Sequence, residues 1–180
     1  MTPRRVHRRR HEIPGGLRFL TFSCYHRLQL FSNPKIRDAF AAALGEVQRT
    51  QAFRLFAWVV MPEHVHLLVI PNLPEFPVSE LLRELKRPFA EAVIDRWRAL
   101  NARILPRLTD TRGDVHFWQR GGGYDRNIWS DEEFLEKRTY IHHYPVARGL
   151  VARPEDWAWS SARWFAGDQS GPVRVERRWG

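Results

Sequence analysis

The 180-residue sequence predicts an α+β fold, with helices packed on one face of an antiparallel sheet. Three observations lead there. Strand and helix patterns are mixed in the order β-α-β-β-α-β-α, without the regular βα alternation of a parallel sheet. Two apolar runs, 53–61 and 64–70, are separated only by Pro62-Glu63, the length of a hairpin turn. Three further segments carry the apolar period of a helix.

Residues 17–31 read as the first strand, because Leu20, Phe22 and Cys24 alternate with more polar neighbours. A helix follows, with Asn33 as N-cap, Pro34 at the first helical position, and Ile36, Phe40, Ala43, Leu44 and Val47 on one face. The run 53–61 is apolar on both faces, which predicts a central, covered strand. Leu81, Leu82, Leu85, Phe89, Val93, Trp97 and Leu100 hold the helical period over 79–100, and Pro88 is expected to kink or split that helix. Residues 101–113 are irregular. Residues 115–130 hold a short strand and a glycine-rich turn at Gly121-Gly122-Gly123, suited to a hinge or to backbone contact with a ligand. Ser130 with Glu133 forms a capping box for the last long helix, whose apolar side is Phe134, Leu135 and Ile141 and which Pro145 is expected to stop. The domain is expected to span 17–166, preceded by a basic arm over 1–16 and followed by a loose tail over 167–180. Trp157, Trp159 and Trp164 read as a packed cap rather than a stacking platform.

The formal net charge is +9, which predicts a polyanionic partner, nucleic acid before membrane. One cysteine, Cys24, excludes a disulfide framework and a cysteine-based zinc site. No apolar h-region follows the basic start, and no run reaches the length of a membrane span. A cytoplasmic protein, associated with the nucleoid when bound to DNA, is expected.

His64 and His66 sit two apart in the second hairpin strand, so both imidazoles share one face while Val65, Leu67 and Val69 point the other way into the core. Such a pair can share one metal ion, or be two ordinary polar residues on a half-exposed strand. The residues that follow, Leu67-Leu68-Val69-Ile70, supply none of the further histidines or acids of histidine-triad hydrolases, metallo-β-lactamases or cupins. No third strong zinc ligand is evident. Two histidines with an open coordination sphere suit Mg²⁺ or Mn²⁺ on a phosphate substrate. On the last long helix Tyr140 falls away from the apolar stripe, as do Glu136, His143 and Tyr144; a helix-held phenol there is either a surface tyrosine or a nucleophile.

Three stretches, "MPEHVHLLV", "WQRGGGYDRNIWSDEEFLEKRTYIHHYPVARGLV" and "PEDWAWSSARW", resemble the REP-associated tyrosine transposases, single-tyrosine HUH enzymes related to IS200-like elements. The resemblance runs from about residue 17 to 166. It implies the HUH fold, a ferredoxin-like antiparallel sheet, with His64 and His66 as metal ligands and Tyr140 as nucleophile. It implies Mg²⁺ or Mn²⁺ as cofactor. It also implies attack on single-stranded, hairpin-forming DNA to give a 5′-phosphotyrosine and a free 3′-OH, from which strands can be rejoined in transposition. Family members carry Asn where this chain has Tyr144. That leaves Tyr144 or His143 as third ligand, Tyr144 as a second nucleophile in the manner of two-tyrosine HUH enzymes, or a catalytically impaired copy that still binds DNA. Candidates for DNA phosphate contact are Arg83, Lys86, Arg87, Arg120 and Arg126 with Arg4, Arg5, Arg8, Arg9 and Arg10 of the arm. A monomer and a homodimer are both compatible with the family.

Overall fold

Four strands, β1 (Leu17–Ser23), β2 (Arg54–Val60), β3 (His64–Ile70) and β4 (Tyr124–Ile128), form one antiparallel sheet in the order β2-β3-β1-β4. The structure is a computed structural model describing residues 13–51, 53–121 and 123–178. The arginines of the basic arm lie outside the described residues. The helices are α1 (Pro34–Gln51), α2 (Val78–Ala99), a single turn α3 (Leu105–Leu108), α4 (Asp131–Ala147) and a single turn α5 (Ala162–Phe165).

The alternation of side chains along the strands sorts the apolar residues into two layers. Leu20, Phe22, Leu55, Val65, Leu67 and Val69 face α1 and α2, meeting Phe40, Leu44, Leu81, Leu85 and Phe89. Leu17, Phe19, Phe56, Val59, Leu68 and Ile128 face the opposite way and pack against Phe134 and Ile141 of α4. The expected helical layer is therefore α1 with α2, while α4 lies across the other face, the one that carries the histidines. Among the described residues no helix is long and apolar enough to cross a membrane.

Several expectations change in detail. The first strand ends at Ser23, and Tyr25–Arg27 form a short 3-10 turn in which His26 and Arg27 take left-handed backbone angles, φ 50° and 55°. β2 is an edge strand rather than a central one. It is buried because α1 and α2 cover one face, α4 covers the other, and the C-terminal segment covers its free edge. Val60 N–H donates to Trp159 O, Ser161 N–H to Trp58 O and Glu176 N–H to Leu55 O, all within 2.9 Å. That pairing removes the exposed edge of the sheet. It also means that residues 172–176 are not loose: Val173 and Val175 are buried in the core. Trp157 and Trp159 belong to the same cap, with Trp157 Nε1 donating to Val60 O at 3.0 Å.

Pro88 does not split α2, which runs unbroken, and Leu100 lies just beyond its end, exposed. Pro145 does not stop α4; it is buried in the last turn, and the helix continues past it to Ala147. The helix ends there, and Gly149, just past the cap, closes it. Its φ of +68° allows Gly149 N–H to reach Val146 O and Leu150 N–H to reach Pro145 O, a Schellman closure. At the other end Ser130 Oγ accepts from Glu133 N–H at 3.1 Å, while the Glu133 carboxylate accepts from Trp129 N–H rather than from Ser130.

Gly123 packs directly on the β1 backbone. A Cβ there would stand 2.1 Å from Thr21 O, with φ at +72°, so glycine is what lets β4 close on β1. Gly123→Ala is expected to destabilise the fold by about 2–4 kcal/mol, measured by urea unfolding. A loss under about 0.5 kcal/mol would mean that this close approach is not made in solution.

Candidate active site

The hairpin turn between β2 and β3 delivers the histidines. Pro62 O accepts from Phe31 N–H and Glu63 O accepts from Cys24 N–H, so the turn is tied to both flanks of the 24–31 segment. Cys24 is fully buried there, and burial pushes its thiol up to about 12, leaving it chemically quiet. His64 and His66 follow on the α4 face of β3. They are not half-exposed: their exposures are 2% and 4%.

Each ring is oriented through Nδ1. His66 Nδ1 meets Thr21 Oγ1 at 2.7 Å, and His64 Nδ1 meets Glu63 Oε1 at 3.2 Å. The two Nε2 atoms then point at each other, 3.0 Å apart. If both Nδ1 atoms keep the proton, two lone pairs face one another, an arrangement that favours a cation between them. Burial lowers both basicities. His66 falls to about 3, with His64 as the second cause; His64 is lowered too, although Glu63 opposes this. Neutral imidazoles with hydrogen-bonded outer nitrogens are the form that binds a metal, so the pair fits a divalent ion.

α4 lies over this pair. Tyr140 and Tyr144 are one turn apart with ring centroids at 5.0 Å. The Tyr144 ring is 5.4 Å from His64 and 5.3 Å from His66; the Tyr140 ring is 5.5 Å from His66. Tyr140 keeps 41% of its surface exposed, whereas Tyr144 is half-buried against the apolar layer. Tyr144 is thus closer to the apolar side than the helical period suggested, and Leu135, placed on that side by sequence, is exposed. Burial raises the Tyr140 phenol, Tyr144 raises it further by charge and hydrogen bond, and Arg148 pulls it down.

His143 is exposed on another flank of α4, where it lines a 210 Å³ groove with Arg138, Thr139 and His142. Among the described residues no third His, Cys, Asp or Glu gathers with the His64/His66 pair. The triad that does gather, Asp110, Asp114 and His116, is a surface loop already bridged by Arg120.

His142 faces inward from the same groove and meets Ser161 Oγ at 2.8 Å. Burial, then Arg138 and His143, lower it to about 4. Between that value and the unfolded histidine value of about 6.5 the unfolded chain binds the extra proton, so stability falls as pH drops through this window. His142→Gln is expected to remove roughly one proton from the slope of unfolding free energy against pH between about 6.5 and 4. An unchanged slope would assign acid sensitivity elsewhere.

Sequence reasoning missed four residues at this site. Glu63 is 5% exposed and joins His64 Nδ1 to Arg148 Nη1, the latter at 2.6 Å. Burial would raise its carboxyl, but Arg148 and His64 outweigh that and hold it below its usual range. Arg148 follows Tyr144 by one turn and Tyr140 by two, a spacing that could have flagged it. Arg27 approaches Glu63 at 3.9 Å from the strained 3-10 turn. Thr21 reaches His66 only through the β1–β3 register, in which the two residues are direct partners.

The sequence profile of the IS200-like transposases matches residues 19–144. The chain belongs to the IS200-like transposase family. Within that family it is 29% identical over 157 residues to the REP-associated tyrosine transposase of Escherichia coli (strain K12), covering 85% of this chain and 80% of that one. It is 27% identical over 155 residues to a Haemophilus influenzae protein given the same name provisionally, covering 85% and 83%. A solved structure of a REP-associated tyrosine transposase bound to a REP hairpin superposes with a TM-score of 0.63 at 25% identity, over 94% of this chain and 90% of that one. The α+β architecture and the transposase family expected from sequence are both met.

Arg83 pairs with Glu80 and Glu84, Arg87 with Glu91, Arg120 with Asp110, and Arg126 with Glu133. The Lys86 ammonium stands about 5.5 Å over the Phe22 and Trp118 rings. Exposed ion pairs of this kind add little to stability and can be exchanged for a phosphate partner.

Proposed function

We propose that this transposase is a metal-dependent single-stranded DNA endonuclease and strand transferase that uses Tyr140 as its nucleophile. The observation that carries the reading is one arrangement: an accessible phenol on α4 beside two buried imidazoles whose Nε2 atoms converge. His64 and His66 would hold Mg²⁺ or Mn²⁺, which when bound neutralises phosphate oxygens and favours the phenolate. α4 supplies the rest by holding the Tyr140 oxygen over the pair for in-line attack on phosphorus. The P–O bond to the 3′ side breaks, a 5′-phosphotyrosine forms and a 3′-OH leaves. The ester conserves bond energy, so a later 3′-OH can reverse the step and join strands. The hairpin in the solved relative supports hairpin-forming, REP-like DNA as the substrate class. The exposed Tyr124 ring, 6.2 Å from Phe19 on the same side of the sheet, offers an unpaired base a stacking surface near the nucleophile.

A binding-only reading has one observation in its favour: Tyr144 replaces the family's Asn, and no other described acid or imidazole completes the pair. Labelled hairpin oligonucleotides from the DNA flanking the gene, incubated with Mn²⁺ and run on denaturing gels, separate the two. A covalent protein–DNA band supports the nuclease; a mobility shift with no band supports the binder.

A further inference from the structure

We infer that the groove on the flank of α4 holds a nucleotide of the single-stranded DNA that continues past the nucleophile, with Arg138 gripping its phosphate. This rests on the reading above of a chain that acts on single-stranded, hairpin-forming DNA, and adds where that strand lies beyond Tyr140.

The groove, about 210 Å³ in volume, lies between α4 and the α5 turn, with Arg138, His142, His143 and Phe165 in its walls. Its charge singles it out. Arg83, Arg87, Arg120 and Arg126 each meet a carboxylate, but among the described residues no carboxylate lies within ion-pair distance of Arg138. Glu155, the acid in the groove wall, is engaged by Arg153 at 3.6 Å. The Arg138 guanidinium is instead half-buried over two rings, 5.1 Å from Phe165 and 5.6 Å from Phe134. Contact with ring faces leaves its N–H donors available to an anion, and their fork matches a phosphate. The His142 ring, 5.2 Å from Phe165, adds a second aromatic wall of the kind on which an unpaired base stacks.

The helical period puts this groove in line with the nucleophile. Arg138 with His142, Thr139 with His143, and Tyr140 with Tyr144 form three adjacent strips round the part of α4 not occupied by Phe134 and Ile141. A strand held at Tyr140 crosses Thr139 and His143, both exposed, and reaches Arg138 over a helix only about 10–12 Å wide. Phosphate contact there positions the strand without reading its sequence.

The test uses the full chain without divalent metal and measures affinity, over a range of salt, for two oligonucleotides: a hairpin with single-stranded extensions on both sides of its foot, and the same hairpin trimmed flush. Arg138→Gln is expected to weaken binding of the extended hairpin roughly tenfold and to lower the slope of log affinity against log salt by about 0.7, the share of one single-strand phosphate contact. Binding of the trimmed hairpin is expected to stay within about twofold, which also shows that the variant is folded. Arg138→Lys keeps the charge and is expected to keep the salt slope. An equal loss on both oligonucleotides would make Arg138 part of the general basic surface and overturn the inference. So would a glutamine variant that keeps the slope, a lysine variant that loses it, or an unaltered chain that binds the two oligonucleotides alike. Failure of the nuclease reading shows separately, as a missing covalent band in the presence of Mn²⁺, which this binding measurement does not read.

Discussion

Tyr140→Phe is expected to abolish covalent adduct formation, a loss on the order of a thousandfold or more, while DNA affinity stays within about twofold. The substitution removes one oxygen and leaves the ring, so its edge contacts with Phe19 and His66 persist. Nothing in the sheet or in the α4 packing depends on the hydroxyl, because Tyr140 is exposed and the helix is anchored by Phe134 and Ile141. The chemistry does depend on it. With its phenol raised above the usual value by burial and by Tyr144, the oxygen is a poor nucleophile unless a cation shares its developing charge. The measurement is the denaturing-gel band beside a mobility shift on the same oligonucleotide. A persistent band would move the nucleophile to Tyr144. A parallel loss of binding would make Tyr140 a structural or substrate-gripping residue instead.

The site was legible where its residues are close in sequence and obscure where folding brings them together. His64 and His66 could be paired from strand alternation alone, and the opposite placement of Val65, Leu67 and Val69 followed from the same rule. Tyr140 stood out as a phenol off an apolar helix face. Which face of the sheet α4 would choose was not written locally; it follows from the Phe19–Phe56–Leu68 layer, assembled from three strands and sharpened by the irregularity between Leu55 and Ala57 that turns Phe56 and Ala57 toward α4. The same limit explains β2. Its two apolar faces suggest a central strand, yet it lies at the edge, because a segment more than 100 residues later supplies the missing neighbour. Thr21 and Arg148 were invisible for a related reason. Each acts through a partner, His66 or Glu63, that only β-sheet register or the seating of α4 brings within reach.

His66→Ala is expected to abolish Mn²⁺-dependent cleavage and to lower Mn²⁺ affinity beyond the reach of any change in the surrounding shell. His66 is the more deeply held of the pair: its ring stacks on Phe19 at 5.3 Å, its Nδ1 is taken by Thr21, and its Nε2 is one of the two nitrogens that converge. Removing it leaves one imidazole, and a single neutral ligand cannot hold a hard divalent cation in competition with water. His64→Ala should behave alike. Thr21→Val gives the graded control, because it keeps the strand and its packing but removes the hydroxyl that orients His66; loss of an outer partner of this kind costs roughly 10- to 100-fold in metal affinity. The order expected in Mn²⁺ calorimetry is therefore unaltered chain, then Thr21→Val, then His66→Ala, with cleavage rates following the same order. Binding of the hairpin oligonucleotide without metal should be little changed throughout, since neither His66 nor Thr21 adds a positive charge. Cleavage that survives in His66→Ala would detach the metal from the histidines. Cleavage lost with Mn²⁺ affinity intact would leave the imidazoles working on the phosphate directly rather than through a cation.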